Sequence, residues 1–108
     1  MPARPADPGP VFAALADPTR RAVLTAVASR GSATATELVA DVPVTRQAVT
    51  KHLQLLADAG LVAAERNGRE QRYRVTPAPF TDAMTWMVDV GAAWDDRLAR
   101  LVARAAER

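Results

Sequence analysis

The chain has 108 residues, a length that accommodates one domain rather than two. Hydrophobic residues make up 49% of it and charged residues 24%, which is typical of a globular protein and unlike a disordered or fibrous one. The absence of cysteine excludes disulfides, thiolate metal sites and cysteine nucleophiles, and it fits a reducing cytosol. No stretch approaches about eighteen apolar residues and the first residues carry no hydrophobic signal region, so we expect a cytoplasmic chain that does not enter a membrane.

The positive charge is concentrated in the middle of the chain. The net charge of the whole chain is only +2, whereas residues 45–75 alone carry six basic and three acidic side chains. Residues 1–44 are balanced, and residues 76–108 carry a slight negative excess. A polyanion such as nucleic acid is therefore expected to dock against the central segment.

The beginning of the chain predicts a flexible tail and two helices. Residues 1–10 contain four prolines and one glycine without apolar periodicity, which indicates a flexible tail ahead of a single domain over residues 11–108. A short helical segment over residues 11–16 precedes Asp17-Pro18. This pair is a helix-start signal, because aspartate accepts hydrogen bonds from free amides and proline fits the first helical position. Gly31 ends this second helix.

Two further helices have the outline of a helix-turn-helix. Thr34 and Glu37 have the spacing of a capping box and begin a short helix that directs Leu38 and Val39 inward. After a connection of about four residues, a longer helix is predicted over residues 45–59. This second helix is the expected recognition helix.

The polar face of the recognition helix lacks carboxylates until its last turn. Arginine, lysine, glutamine and threonine side chains suit contacts to phosphates and base edges in a DNA major groove. A solvated helix face is the alternative interpretation. The side chains on or near this face are Arg46, Gln47, Thr50, Lys51, His52 and Gln54.

A β-hairpin is predicted over residues 61–75. Asn67-Gly68 stands between two strand-like runs and favours a type I′ turn. On the return strand, Tyr73 lies on one face and arginines lie on the other. A DNA-binding wing requires such arginines, whereas an ordinary charged hairpin is the alternative. The arginines of the hairpin are Arg66, Arg69, Arg72 and Arg74.

Pro77 and Pro79 are expected to break the chain before a long final helix over residues 80–106. Apolar residues recur along it every seven positions and give it a broad apolar face. A small domain has limited core for so many large side chains, so we expect this face to meet a second copy of the chain. Packing wholly within one chain is the alternative. The expected interface residues are Phe12, Phe80, Met84, Met87, Val90, Trp94, Leu98 and Leu101.

Several motifs, in this order, resemble those of ArsR-type winged helix-turn-helix repressors of bacteria and archaea. They are FAALADPTRR at 12–21, VTRQAVTKHL at 44–53, LADAGLV at 56–62 and REQRYRV at 69–75. The resemblance implies a mainly α fold with a small β-hairpin and a long C-terminal dimerisation helix. It also implies a homodimeric repressor that binds an inverted-repeat operator, with its hairpin arginines on phosphates or in the minor groove. The positions that would read DNA are Thr45, Gln47, Thr50, Lys51 and His52, to which the helix face adds Arg46 and Gln54.

The residues that metal-responsive members of this family use for sensing are missing. The helix before the turn reads ELVAD over residues 37–41 and has no thiol, and the final helix has aspartates but no histidine. The single histidine, His52, lies in the recognition helix. Carboxylates alone make a poor transition-metal site, so we expect no metal and no other cofactor.

Two other functions and a bound ligand are alternatives or additions to a DNA-binding repressor. A protein-interaction module that uses the tryptophan-rich last helix is the main alternative, yet it gives no reason for an acid-free helix face. An enzyme is disfavoured because the sequence offers no pairing of a nucleophile with a base. A hydrophobic effector between the first and last helices is a further option, although plain packing explains the same residues. Those residues are Phe12, Trp86, Met87 and Trp94.

Overall fold

The computed structural model describes residues 7–107. Residues 1–6 of the predicted tail lie outside this range, and the first helix already includes Gly9 and Pro10, so it begins earlier than predicted. No helix among the described residues combines the length and the apolar character needed to cross a bilayer. The helices are α1 (Gly9–Leu15), α2 (Pro18–Arg30), α3 (Ala35–Leu38), α4 (Arg46–Asp58) and α5 (Pro77–Ala106), and the strands are β1 (Ala33–Thr34), β2 (Val62–Asn67) and β3 (Glu70–Val75).

Side-chain caps fix the starts of α2, α3 and α4, as predicted. Asp17 accepts a hydrogen bond of 2.8 Å from a backbone amide of α2, and Thr45 accepts one of 3.1 Å from a backbone amide of α4. Thr34 and Glu37 form a complete capping box, in which each side chain accepts from the backbone amide of the other. Each cap stabilises its helix by about 0.5–2 kcal/mol. The caps therefore set the boundaries of the helix-turn-helix.

A third strand, absent from the sequence-based prediction, joins the hairpin. The strand β1 pairs antiparallel with β3 and gives a sheet with the order β1-β3-β2. Ala33 lies opposite Tyr73, and Thr34 lies opposite Arg72. Two residues are too few to show an alternating pattern, so the sequence carries no signal for this strand. Its pairing joins the start of α3 to the hairpin.

The hairpin turn lies one residue later than predicted. Asn67 pairs with Glu70, so the two loop residues are Gly68 and Arg69. Gly68 has a φ of +65°, and among residues 7–107 only glycines have a positive φ. A positive φ at the first loop position alone, on a glycine, is typical of a type II′ turn, so the predicted type I′ turn was wrong. Arg69 consequently occupies the tip of the hairpin.

The last helix begins at Pro77, and the prediction that Pro77 and Pro79 break the chain ahead of it was wrong. Both prolines lie in its first turn, where backbone amides have no partner within the helix and the missing N–H groups cost nothing. The 30 residues of α5 form a rod about 45 Å long. This rod contributes to the 70 Å length of the molecule.

The core lies where α2, α3 and α4 pack against the sheet. Leu38 is fully buried there, whereas Val39, also predicted to face inward, is exposed because α3 ends before it. Ala83 is the buried residue of α5. These elements form the predicted winged helix-turn-helix with a long C-terminal helix. The largest fully buried side chains are Val23, Val27, Leu38, Val49, Leu53, Leu56 and Leu61.

Candidate nucleic-acid interface

The recognition helix α4 buries one face and leaves its polar face in solvent. Val49, Leu53 and Leu56 are buried at helical spacing and hold the helix against the core. Because these anchors have little freedom to move, the opposite face has a fixed orientation. Its exposed residues are Arg46, Gln47, Thr50, Lys51 and Gln54.

Three of these exposed side chains are free to bind a ligand. Within residues 7–107, the side-chain hydrogen bonds and ion pairs of α4 involve other residues and leave Arg46, Gln47 and Lys51 unengaged. An unengaged polar side chain gives up no internal hydrogen bond when it contacts DNA. These three residues are therefore the predicted DNA contacts of α4 that would break no internal interaction on binding.

The other polar residues of α4 already have partners. The Thr50 hydroxyl donates to the carbonyl oxygen of Arg46 at 3.0 Å, and the Gln54 amide donates to Asp58 at 2.9 Å. The Thr45 hydroxyl accepts the capping bond of the helix. A hydroxyl that donates one hydrogen bond retains lone pairs that accept others, so Thr50 keeps an acceptor for a base or a bridging water. Gln54 would have to release Asp58 to bind DNA.

His52 lies apart from the exposed face on which the sequence prediction grouped it. It follows the buried Val49 by three positions and precedes the buried Leu56 by four, which turns its side chain toward the core. The imidazole is 20% exposed, and its buried Nδ1 lies 3.8 Å from the carboxylate of Asp17 without a hydrogen-bond partner. No group of three or more histidine, aspartate or glutamate residues within residues 7–107 is arranged to hold a metal ion.

The recognition helix and the hairpin face a common cleft of about 580 Å³. Arg46 and Thr50 of α4 line one side of it, and Arg66 and Arg69 of the hairpin line the other. The two surfaces that the sequence predicted to contact DNA therefore point in the same direction. Arg72, Glu37 and Glu70 also line the cleft but are paired with one another. Among the described residues, its unpaired positive charge comes from Arg46, Arg66 and Arg69, and it suits an extended polyanion.

The four arginines of the hairpin differ in their availability. Arg66 and Arg69 have no side-chain partner within the described part of the chain, and Arg74 has only a solvent-exposed contact with Glu65 at 3.8 Å. Exposed pairs of this kind contribute little energy and separate readily. Arg72 differs from the free DNA contact that the sequence predicts, because its guanidinium is bound within the protein.

Arg72 is held by partners from its own strand and from the segment 32–37 around β1. Its guanidinium lies 3.0 Å from a carboxylate oxygen of Glu37 and 3.3 Å from one of Glu70, and it donates to the Ser32 hydroxyl at 3.3 Å. The backbone amide of Thr34 donates to Glu37 and, together with the charge of Arg72, lowers the pKa of that carboxyl. Glu37 therefore stays ionised beside Arg72 at neutral pH.

A second arginine extends this network to the end of α2. Arg30 donates two hydrogen bonds to Asp41, at 2.5 and 3.1 Å, and lies 3.9 Å from Glu37. The paired hydrogen bonds raise the pKa of Arg30 and lower that of Asp41. The network thus links the end of α2, the start of α3 and the strand β3.

The sequence predicts the capping role of Glu37 but does not reveal its second role as the partner of Arg72. Nor does it reveal Ser32 and Glu70 as partners of Arg72. The contacts of Arg72 with Ser32 and Glu37 depend on the pairing of β1 with β3. The sequence does not predict β1, because the strand has only two residues. The one signal in the sequence that indicates an ion pair within the hairpin is Glu70, two residues before Arg72 in an arginine-rich strand.

The predicted dimer face of α5 is largely exposed in the single chain. Trp94 is 57% exposed and Met84 is 59% exposed. Phe80 is half-buried against the core, and Phe12 packs on Trp86. The alternative in which α5 packs wholly within one chain was therefore wrong. The predicted interface residues that remain exposed are Met84, Met87, Val90, Trp94, Leu98 and Leu101.

Comparison with known proteins gives independent information on the helix-turn-helix segment. A family described as a helix-turn-helix domain matches residues 15–64, which run from the end of α1 into β2. YuzN of Bacillus subtilis (strain 168), an uncharacterized HTH-type transcriptional regulator, is 44% identical over 71 residues. The match covers 60% of this chain and 74% of YuzN.

Solved structures resemble the whole fold. An ArsR-like transcriptional regulator from Rhodococcus sp. RHA1 has a TM-score of 0.79 at 41% identity, with 87% of this chain and 88% of that chain covered. A homodimeric winged helix-turn-helix DNA-binding domain from Mycobacterium bovis has a TM-score of 0.58 at 26% identity. The second match covers 83% of this chain and 80% of that chain. The similarity thus extends beyond the helix-turn-helix.

Proposed function

Because the chain belongs to the ArsR family of winged helix-turn-helix transcriptional regulators, we propose that it is a homodimeric repressor that binds an inverted-repeat operator. The observation that carries this proposal is the cleft in which Arg46 of α4 faces Arg66 and Arg69 of the hairpin. The family consists of transcriptional regulators rather than enzymes. We place the protein in the cytoplasm, where it has access to chromosomal DNA.

Two side chains of α4 are assigned to base edges. Gln47 and Lys51 lie one turn apart, are exposed and have no internal partner within residues 7–107. Glutamine pairs in a bidentate manner with adenine in the major groove, and lysine donates to the acceptors of guanine. Thr50 lies between them and retains an acceptor. These three residues are the proposed determinants of sequence preference.

Phosphate contacts are assigned to the arginines that surround this face. Arg46 lies at the start of α4, and Arg66 and Arg69 face it from the hairpin. Arg74 lies on the face of β3 opposite Tyr73, is exposed, and adds a positive charge farther from the hairpin tip. Such contacts fix the orientation of a protein on the duplex without reading its sequence. They also make binding strongly dependent on salt.

The exposed apolar face of α5 is the proposed dimer interface. The related domain from Mycobacterium bovis is homodimeric, and the exposure of Trp94 and Leu98 leaves apolar surface that a second copy would cover. A two-fold axis between the copies would present two α4 helices to half-sites one turn, about 34 Å, apart or a multiple of it. The operator is therefore expected to be an inverted repeat.

In-vitro selection from a random duplex pool tests the proposal. We expect enrichment of one sequence with two-fold symmetry, and fluorescence anisotropy is expected to show tighter binding to it than to a scrambled duplex of equal length. The affinity for both duplexes is expected to fall as salt rises. Equal affinity for the two duplexes would contradict sequence-specific recognition. A stable hetero-complex combined with negligible DNA binding at low salt would favour the protein-interaction alternative.

A further inference from the structure

We propose that Arg72 positions the hairpin for DNA binding by holding Glu37, and that its guanidinium does not contact the DNA backbone. This inference rests on the proposed function, since it assigns a role within the DNA-binding surface. It separates Arg72 from Arg66, Arg69 and Arg74, which have the same side chain in the same hairpin. The four arginines would thus divide into three DNA contacts and one internal brace.

The first argument is electrostatic. The guanidinium of Arg72 lies between two carboxylates, with Glu37 at 3.0 Å and Glu70 at 3.3 Å. One positive charge between two negative charges presents no net attraction to a phosphate. A phosphate that approached Arg72 would compete with these two carboxylates for the guanidinium, and charge-assisted hydrogen bonds are the stronger kind. The surroundings of Arg72 therefore disfavour a phosphate contact.

The second argument is the rigidity of Glu37. Its Oε1 accepts the backbone amide of Thr34 at 2.9 Å and lies 3.0 Å from the guanidinium of Arg72 in an ion pair. Thr34 itself pairs with Arg72 across β1 and β3. The carboxylate is therefore fixed by the capping box of α3, and α3 is held to the core by the fully buried Leu38. A side chain bound to Glu37 is in effect bound to the helix-turn-helix.

The third argument is the lack of other support for the hairpin. Within β2 only Val62 is buried, and the residues from Ala63 to Asn67 are exposed, so the hairpin projects beyond the core. Tyr73 is the buried residue of β3. Arg72 is adjacent to Tyr73 and braces the strand where core support ends. Without this brace, the angle between the hairpin tip and α4 would vary, and Arg69 would lose its fixed place in the cleft.

Glu37→Gln distinguishes positioning from DNA contact by the sign of its effect. Glutamine still accepts the amide of Thr34, so the capping box of α3 is retained, whereas the ion pair with Arg72 is lost because the amide carries no charge. If Arg72 were a phosphate contact restrained by Glu37, removing the negative charge would free it and tighten DNA binding. If Arg72 positions the hairpin through Glu37, the same substitution weakens DNA binding.

The binding experiment uses the duplex selected by the unmodified chain, with affinities measured by anisotropy at several KCl concentrations. We expect Arg72→Gln and Glu37→Gln each to weaken binding by about 3- to 30-fold, and the double variant to bind no more weakly than either single one. Neither single variant changes the slope of log affinity against log salt. The control Arg69→Gln lowers that slope by about 0.9 for each phosphate that the side chain neutralises.

A second measurement reports the position of the hairpin without DNA. The chain has no cysteine, so Asn67→Cys and Asp58→Cys allow two spin labels, one near the hairpin tip and one at the end of α4. We expect a narrow distance distribution with Arg72 present and a broad one in Arg72→Gln. Circular dichroism confirms that both labelled proteins are folded, so that loss of stability alone does not account for the broadening.

Three results would overturn the inference: tighter DNA binding by Glu37→Gln, a slope change in Arg72→Gln equal to that in Arg69→Gln, or an unchanged distance distribution. The two measurements also separate this inference from the proposed function. If the unmodified chain selects no duplex, the proposed function fails, while the spin-label distances still decide whether Arg72 braces the hairpin. In that case, a broad distance distribution in Arg72→Gln would show that Arg72 braces the hairpin, but the role of this brace in DNA binding would be refuted.

Discussion

The rings of Phe12 and Trp86 meet edge to face, with centroids 5.6 Å apart and planes inclined by 62°. This contact joins α1 to the first half of α5. Beyond it, the large apolar side chains of α5 are exposed, from Met87 to Val102. The last helix is therefore attached to the domain near its beginning, and its later turns project away from the core.

Phe12→Leu is expected to lower the free energy of unfolding, because it removes the ring that packs on Trp86. An aromatic pair contributes about 0.5–1.5 kcal/mol beyond the area it buries. Urea unfolding at one fixed protein concentration measures the change, since the stability of a dimer depends on concentration. Phe80→Leu is the control, because Phe80 is half-buried but stacks on no aromatic ring within residues 7–107. A cost for Phe12→Leu no larger than the control's would show that the ring pair contributes nothing.

Leu98→Glu is expected to convert the dimer into a monomer, because it places a charge within the apolar face of α5. Burying an unpaired carboxylate at an apolar interface costs several kcal/mol. Sedimentation velocity measures the association state. Ala99→Glu adds the same charge one residue later, on the polar side of the helix, and is expected to remain dimeric. If the two variants sediment alike, the apolar face of α5 is not the interface.

Gln47→Ala is expected to reduce the preference for the selected duplex over a scrambled one by about 1–3 kcal/mol for each base that the glutamine reads. The affinity for scrambled DNA is expected to change little, because Gln47 carries no charge. Gln54→Ala is the matched control, since Gln54 already donates to Asp58 at 2.9 Å. Paired anisotropy titrations on both duplexes give the preference directly. An equal loss of preference in both variants would remove Gln47 from the proposed base contacts.

The ion pairs of Glu37 and Asp41 predict a loss of stability in acid. The amide of Thr34 holds the pKa of Glu37 below its ordinary value of 4.5, and the hydrogen bonds from Arg30 hold the pKa of Asp41 below 3.8. The folded state therefore binds fewer protons than the unfolded state. The stabilisation is complete above these ordinary values and is lost as the pH falls through the lower values of the folded protein.

Thermal unfolding followed by circular dichroism between about pH 6 and pH 2 measures this dependence. As the pH is lowered, the midpoint temperature of unfolding is expected to fall less steeply in Asp41→Asn than in the unmodified chain, because one of the two carboxylates no longer titrates. Asp89→Asn, on the exposed surface of α5 and without an ion pair within residues 7–107, is the control substitution. Identical acid dependence in all three proteins would contradict the role of Asp41.

The starts of α2, α3 and α4 were predictable because their causes are local. Asp17, Thr34 and Thr45 each bond to an amide three residues later, so a short stretch of sequence contains both partners. Gly60 ends α4 in the same way: its φ of +79° lets the amide of Leu61 reach the carbonyl of Leu56 at 2.9 Å. These local signals predicted the helix-turn-helix correctly.

Features that depend on contacts between distant residues were not predictable in the same way. The site was predicted at the level of a helix face and a hairpin, but the sequence did not show that Arg72 is bound by Glu37 or that His52 turns toward Asp17. The hairpin turn was misplaced because Asn67-Gly68 and Gly68-Arg69 both fit a two-residue loop. Cross-strand pairing of Asn67 with Glu70 decides between them.

The projection of α5 separates two properties of an operator. Under the proposed function, base preference belongs to the few exposed side chains of α4, whereas the distance between half-sites depends on how α5 pairs the two copies. A substitution at Gln47 would then alter which bases are read and leave the half-site distance unchanged. Insertion of seven residues into α5 would lengthen it by about 10.5 Å while preserving its apolar repeat. Regulators of this architecture can thus change operator sequence and operator geometry independently during evolution.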